Sequence, residues 1–190
     1  MSPFLSAPLL STGAILLVFL FFRVTRGLDV SDEMQYYGQI KGLVETGRLF
    51  TTDMFVQQAV YALFYPAFRA HSLAFGPEGM IFFGRILISL IHGALFLWAY
   101  RRLLALRFPA LVAGATALSC VIPICSSSAF AVSYNTVSLA MWAVFIVKFF
   151  DWDWDGDGSF FWAAWPCLMV AVYPTSAVAM AVLIFGRLIW

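Results

Sequence analysis

Residues 80–100 read MIFFGRILISLIHGALFLWAY, and Arg85 is the one charged residue among them. A helix of this length rises ~31 Å, which matches the ~30 Å thickness of the bilayer hydrocarbon. The stretch is therefore long and apolar enough to cross a membrane. It belongs to a chain of 190 residues of which 63% are hydrophobic and 11% are charged, whereas roughly half of an ordinary soluble domain is apolar. The composition predicts an integral membrane protein.

Other apolar runs lie on both sides of this stretch, at residues 4–22, 108–125, 129–150 and 160–190. The last run is too long for one span, and Pro174 stands near its middle, where it would interrupt a helix. We predict two short helices there; one tilted, kinked helix and a re-entrant pair of half-helices are the alternatives. The predicted fold is an all-α polytopic membrane protein, a single domain over residues 1–190 with about six transmembrane helices, or five if the last run forms one. Because the sequence ends inside an apolar run, we expect either a chain truncated at its C-terminus or a reduced relative of longer proteins.

A long polar loop, residues 23–79, separates the first span (residues 1–22) from the remaining spans (residues 80–190). Short loops rich in Lys and Arg stay cytoplasmic, and the densest basic cluster follows the second span, at Arg101, Arg102 and Arg107. Counting spans from there makes the long loop extracytoplasmic in a multi-pass protein of the inner or plasma membrane. Arg23 and Arg26, at the outer end of the first span, oppose this orientation, but the rule weakens in loops of ~60 residues.

Two amphipathic helices are predicted within the long loop. The first is capped by Ser31, has Asp32 and Glu33 in its first turn, and stops at Gly47. Its apolar face consists of Met34, Tyr37, Ile40, Leu43 and Val44. The second begins near Asp53, and its apolar face consists of Val56, Val60, Leu63, Phe64 and Phe68. Amphipathic helices lie along membrane surfaces, so we expect both on the outer face of the bilayer.

Several classes of site are not indicated. The net charge of +1 offers no basic surface for nucleic acid. The three cysteines lie in apolar runs without His or carboxylate residues at ligand spacing, so the sequence predicts neither a metal site nor a disulfide framework. The acidic turn at residues 151–158 is similar to the start of a calcium loop, but Trp162 stands where the bidentate Glu is needed. We predict no metal site and no cofactor, and leave a requirement for a divalent ion open.

Short motifs give the chain a resemblance to a known family. An Asp-Glu pair at residues 32–33 is followed by Tyr36 and by ETG at residues 45–47; further motifs are YALFYP at residues 61–66, GRIL at residues 84–87 and YRRL at residues 100–103. The series resembles the N-terminal part of GT-C-type membrane glycosyltransferases, in the group of the protein mannosyltransferases and aminoarabinose transferases. The family's enzymes are longer, and the lysine that they carry near the proline of a later span has no counterpart in VYPT at residues 172–175.

The resemblance implies an enzyme of the cell envelope that transfers a sugar, with inversion, from a polyprenyl-phosphate donor to an acceptor at the outer membrane face. The acceptor hydroxyl must lose its proton as it attacks the sugar, and a carboxylate can take that proton. Asp32 occupies the matching position as general base. Glu33 beside it is the second predicted catalytic residue.

Four residues are predicted to bind the substrate. The departing lipid phosphate needs positive charge, and Arg85 is the candidate because an arginine inside a span is costly unless it has a partner. His92 lies two turns further along the same helix face, and with Ser89 between them the three residues are expected to line a polar seam. Tyr36 and Tyr37, which follow the carboxylate pair, complete the set.

Each of these residues also has a structural interpretation. Acidic residues in a first turn stabilise the helix dipole, an arginine in a span can extend to the headgroups, and a buried histidine can make a structural hydrogen bond. Two other functions fit the same features. One is a transporter or lipid-carrier subunit, because intramembrane charges and broken helices also form substrate pathways. The other is a non-catalytic membrane assembly subunit that acts with partner subunits.

Overall fold

A computed structural model describes residues 7–25, 32–48, 55–126, 133–150, 159–172 and 176–189. Within these ranges the regular structure is entirely helical. The helices are α1 (Ala7–Thr25), α2 (Asp32–Thr46), α3 (Phe55–Phe75), α4 (Met80–Ala105), α5 (Ala110–Ser126), α6 (Tyr134–Phe150), α7 (Ser159–Val172) and α8 (Ser176–Ile189). The predicted cap at Ser31 and the acidic turn at residues 151–158 lie outside the described residues.

Two of the described helices, α1 and α4, are long and apolar enough to cross a membrane. With 19 and 26 residues they extend ~28 and ~39 Å. Helices α5 and α6 have 17 residues each, and α7 and α8 have 14 each, so they extend ~25 and ~21 Å, less than the ~30 Å of hydrocarbon. Apolar helices thus form in every predicted run, but the predicted count of about six spans is not confirmed.

Helices α7 and α8 lie within the last apolar run. The predicted position of the break, Pro174 and its two neighbours, lies outside the described residues. Helix α8 is tied to the bundle by the Trp142 indole, whose Nε1 donates to Ser176 Oγ at 3.1 Å. Trp165 of α7 donates in the same way to the Met141 carbonyl at 3.2 Å. Both tryptophan contacts therefore hold the C-terminal helices against α6.

Helix α2 confirms the predicted pattern of its apolar face. Tyr37, Ile40, Leu43 and Val44 are all buried. The helix ends at Thr46, and Gly47 follows with a φ of +67°. The Gly47 N–H donates to the Leu43 carbonyl at 2.8 Å, which is the left-handed glycine cap that ends many helices. The sequence therefore placed both the end of α2 and the side that faces the protein.

Helices α1, α4 and α5 pack against one another and form the centre of the bundle. A row of small residues on α5, formed by Ala113, Gly114 and Ala117, is buried there. A Cβ atom at Gly114 would lie 3.0 Å from Thr12 Oγ1 on α1. Small side chains let two helix backbones approach closely, as in membrane helix pairs. Helix α6 covers α4 and α5, and α7 packs against α6 and α3.

Helix α3 packs against the helices that follow it in the chain. Its Phe68 is fully buried and meets Tyr37 and Phe83 edge to face, and α3 contacts α4, α6 and α7. Leu63, which the spacing placed on the apolar face, is 73% exposed. The aromatic side chains of α3 contact α4, so α3 belongs to the helix bundle, and its place on the outer face of the bilayer stays a prediction. Asp53 lies outside the described residues.

Candidate functional site

The buried Arg85 joins the beginning of α4 to the end of α1. Its Nη1 donates to the carbonyl of Val24 at 3.1 Å, and the residue is 6% exposed. The last carbonyls of a helix have no partner within the helix, and the negative end of the helix dipole attracts a cation. The bond brings the C-terminal end of α1 to the N-terminal end of α4, so the two helices run antiparallel. Arg85 thus has a structural partner within the protein.

Tyr37 lies directly against the backbone of α4. A Cβ atom at Gly84 would overlap the hydroxyl and ring of Tyr37. The same ring meets Phe68 of α3 edge to face, with 6.3 Å between the ring centroids. Gly84 precedes Arg85, so the absence of a side chain at this position allows α2 to approach the turn of α4 that carries the buried cation.

A cavity of about 420 Å³ lies where α2 meets the first turns of α4. We call it the α2–α4 cavity; its lining residues are Tyr37, Gly38, Lys41, Pro77, Gly79, Met80, Ile81, Phe82 and Arg85. It unites two of the predicted substrate-binding residues, Tyr37 and Arg85. It also adds Lys41, whose Nζ lies 3.7 Å from Glu45 Oε1. Lys41 stands four residues after Tyr37, a spacing that could have identified it from the sequence.

The predicted catalytic pair opens α2. Asp32 and Glu33 are the first two residues of the helix, one turn before Tyr36 and Tyr37. Residues four apart lie on the same side of a helix, so the register places Asp32 on the side of Tyr36 and Glu33 on the side of Tyr37. The side chains of Asp32 and Glu33 lie outside the described part of the structure.

Tyr36 does not border the α2–α4 cavity; its contacts lead to α6. Asn135 Nδ2 donates to the Tyr36 hydroxyl at 3.2 Å. The start of α6 is ordered by a reciprocal cap, because the Ser133 N–H donates to Thr136 Oγ1 at 3.0 Å and the Thr136 N–H donates to Ser133 Oγ at 3.2 Å. Asn135 was not among the residues predicted from the sequence, although the Ser-x-x-Thr spacing at 133–136 signals a helix start.

Comparison with protein-family models, with curated proteins and with solved structures gives no match to this chain.

His92 belongs to a second cavity, of about 220 Å³, and not to the α2–α4 cavity. This His92 cavity is lined by Phe64, Ile88, Ile91, His92, Leu95, Thr136, Val137, Ala140, Met141, Val144 and Trp165. The Ser89 hydroxyl, expected to link Arg85 with His92, donates instead to the Arg85 carbonyl at 2.8 Å. Arg85 and His92 therefore border different cavities, and the polar seam between them stays a prediction. Two turns along a helix place residues ~10 Å apart, where they face different neighbours.

The α2–α4 cavity has the chemistry of an amphiphilic anion site. Lys41 and Arg85 supply positive charge, the Tyr37 ring and Met80, Ile81 and Phe82 supply apolar surface, and α2 begins one turn away with two carboxylates. Guanidinium and ammonium groups bind phosphate. A carboxylate near such a site can accept a proton from a hydroxyl. Among the described residues, no group of three His, Cys, Asp or Glu side chains is placed to hold a metal ion.

Proposed function

We propose that this chain is a multi-pass membrane protein whose α2–α4 cavity binds a polyprenyl-phosphate sugar and transfers the sugar to an acceptor hydroxyl. The proposal rests mainly on one observation, that Arg85 and Lys41 border the same cavity beside the start of α2. The resemblance of the Asp32-Glu33 segment to GT-C-type glycosyltransferases agrees with this arrangement. The other features of the site are then assigned as follows.

A membrane location is supported by the outward faces of the two long helices. On α1, Val18 and Phe21 are 71% and 72% exposed, while Leu16 and Leu20 on the opposite face are buried. On α4, Leu90 is 66% exposed. Large apolar side chains in such rows are unfavourable in water and favourable in lipid. The same argument extends to α8, whose exposed side chains include Val178, Val182 and Phe185.

The two cations receive the lipid phosphate in this proposal. An arginine in a span costs about 2.5–3.5 kcal/mol on insertion scales, and the Val24 carbonyl lowers that cost while holding the guanidinium at the cavity wall. Lys41 is half-exposed and lies on the other wall. A phosphate between them gains charge-assisted hydrogen bonds from both, and its apolar chain lies against the aliphatic and aromatic side chains of α4.

The transfer step is an inverting displacement. The acceptor oxygen forms a bond with the anomeric carbon as the bond from that carbon to the phosphate oxygen breaks. The polyprenyl phosphate leaves with the electron pair of the broken bond, and its added charge is stabilised by Arg85 and Lys41. The Asp32 carboxylate takes the proton of the acceptor hydroxyl. Glu33 orients the acceptor or keeps Asp32 ionised.

The proposed orientation places the α2–α4 cavity at the extracytoplasmic face. The turn between α3 and α4, residues 76–79, lies at the start of α4, and the basic cluster at residues 101–107 lies at the other end of α4. The positive-inside rule assigns the end with the basic cluster to the cytoplasm. With the native cysteines replaced by alanine, Glu78→Cys in intact cells should react with a membrane-impermeant maleimide, and Ala105→Cys should not. Both positions are exposed in the structure. Reaction at position 105 alone would reverse the orientation.

The activity is tested with the protein reconstituted in lipid bilayers and a radiolabelled polyprenyl-phosphate sugar as donor. We expect saturable loss of the donor, appearance of free polyprenyl phosphate, and loss of both in the Asp32→Asn variant. Saturable binding of the donor without turnover, together with movement of the intact donor between leaflets, would identify a lipid carrier and overturn the proposal. Neither binding nor turnover would also overturn it and would favour an assembly subunit.

A further inference from the structure

The wall of the α2–α4 cavity opposite α2 includes a tight turn between α3 and α4. Its residues 76–79 contain two glycines with left-handed backbone angles, Gly76 with a φ of +77° and Gly79 with a φ of +74°. Pro77 and Gly79 border the cavity. Glycine gives a turn conformational freedom as well as access to these angles. The shape of this wall therefore depends on what holds the turn in place.

His71 of α3 contacts this turn. Its Nε2 lies 3.1 Å from the carbonyl oxygen of Glu78. A carbonyl oxygen can only accept, so the Nε2–H of His71 donates this bond. The imidazole also stacks on the Phe83 ring with 4.5 Å between the ring centroids and 15° between the planes. A Cβ atom at Gly79 would lie 3.9 Å from Nε2, so the ring fills the space beneath the turn.

We infer that His71 is a positioning residue, which fixes the α3–α4 turn through the Glu78 carbonyl and so sets the wall of the α2–α4 cavity. The stack on Phe83 holds the imidazole plane and directs Nε2 at the turn. The hydrogen bond then restrains the turn at residues 76–79, which contains two glycines and contributes Pro77 and Gly79 to the cavity lining. The inference about the turn stands on geometry alone; its consequence for substrate affinity rests on the proposed function.

Two substitutions separate the hydrogen bond from the ring. His71→Phe keeps an aromatic ring for Phe83 and removes the donor. His71→Gln removes the ring and keeps an N–H donor at about the distance of Nε2 from the backbone. The hydrogen-bond assignment predicts that the phenylalanine variant loses the restraint and that the glutamine variant retains it. A role in packing alone predicts the reverse.

The first measurement reports the mobility of the turn directly. A nitroxide attached at Glu78→Cys, in the cysteine-free protein in lipid bilayers, reports motion of the turn, because the Glu78 side chain is exposed while its carbonyl makes the bond. We expect an immobilised spectrum in the wild-type and His71→Gln backgrounds and a mobile component in His71→Phe. A label at exposed Ala115 on α5 should be unaffected. An immobilised spectrum in His71→Phe, or mobility confined to His71→Gln, would overturn the inference.

The second measurement determines how the restraint on the turn affects donor binding in the unlabelled protein. In the transfer assay, His71→Phe should raise KM for the polyprenyl-phosphate donor about three- to tenfold, the range expected for one hydrogen bond, with a smaller change in kcat. His71→Gln should restore KM to near the wild-type value. A mobile turn with unchanged KM would overturn the positioning role. If the wild type shows no transfer, the proposed function fails, while the spectra still decide whether His71 holds the turn.

Discussion

Arginine residues stand at both ends of α4, but their burial and their surroundings differ. At the N-terminal end Arg85 is 6% exposed, donates to the end of α1 and borders a cavity. At the C-terminal end Arg101 and Arg107 are exposed and Arg102 is half-buried, with no described cavity among them. A guanidinium in the headgroup region is well solvated, whereas one inside the protein needs fixed partners. In the proposed function, the C-terminal arginines set the orientation in the membrane and Arg85 belongs to the substrate site.

This comparison predicts where substitutions should matter. Changes around the α2–α4 cavity should affect sugar transfer at unchanged levels of inserted protein. Changes far from the cavity should affect insertion or stability and leave transfer nearly intact. The predictions that follow test this division, beginning with the largest expected effect.

The largest effect is expected for Asp32→Asn, which should lower the rate of transfer by ~10²–10⁴-fold because the acceptor loses its general base. Asparagine is as good a helix cap as aspartate, and losing one first-turn charge costs only ~0.3–1 kcal/mol. Insertion and thermal stability should therefore change little. The measurement is the initial rate of polyprenyl phosphate release at matched protein levels in membranes.

Glu33→Gln is the control for this variant, since it removes the neighbouring charge from the same turn. We expect a smaller loss of rate. A wild-type rate in Asp32→Asn would leave the carboxylate pair as a stabiliser of the α2 dipole. An equal loss in both variants would assign the effect to the charge of the turn and not to a general base.

The next largest effect is expected for Arg85→Gln, which should lower the transfer rate by ~10²–10³-fold, the usual cost of removing one electrostatic stabiliser of a leaving group. Arg69→Gln is a matched control. Arg69 of α3 donates to the Val44 carbonyl at 3.1 Å, just as Arg85 donates to Val24 at 3.1 Å, but Arg69 does not border the cavity. Transfer rates of both variants, measured in bilayers, decide whether Arg85 is a helix cap or a phosphate ligand. Equal losses would make Arg85 a cap alone.

The sequence predicted those features that depend on local spacing. The buried face of α2 and its end at Gly47 follow from periodicity and from glycine. Of the four residues predicted to bind substrate, Tyr37 and Arg85 border one cavity, whereas Tyr36 and His92 do not border it. The catalytic and binding roles of these residues stay predictions.

Features that depend on which helices meet could not be predicted. Periodicity shows that α3 has an apolar side but not that Phe68 would meet α4. His92 shares a helix face with Arg85 but faces α3, α6 and α7 at a different depth. Asn135 stands 99 residues from its partner Tyr36, beyond any local pattern. In each case the missing information is long-range packing.

A moderate effect is expected for Gly84→Ala, because the added methyl group would overlap the Tyr37 ring. Overpacking of this kind costs about 1–3 kcal/mol, and displacement of Tyr37 should also weaken donor binding. Gly93→Ala is the control on the same helix, since its Cβ would meet nothing within 4 Å. It should stabilise the protein by about 0.5–1 kcal/mol by reducing the backbone freedom of the unfolded chain. Denaturation in mixed micelles measures both changes, and a loss of stability in Gly93→Ala equal to that in Gly84→Ala would remove the argument from Tyr37.

The smallest effect is expected at the contact between α2 and α6. Tyr36→Phe and Asn135→Ala each remove one partner of the 3.2 Å hydrogen bond, and each should lower the free energy of unfolding by about 0.5–1.5 kcal/mol. The double variant should cost less than the sum of the two, since the bond can be lost only once. Because Tyr36 does not border the α2–α4 cavity, the fall in transfer rate should be well below that of Arg85→Gln. A double-mutant cycle in micelles, with transfer rates measured in parallel, tests both statements. Strict additivity of the two changes in unfolding free energy would show that the two side chains do not interact. A loss of transfer rate as large as that of Arg85→Gln would show that Tyr36 does belong to the substrate-binding residues.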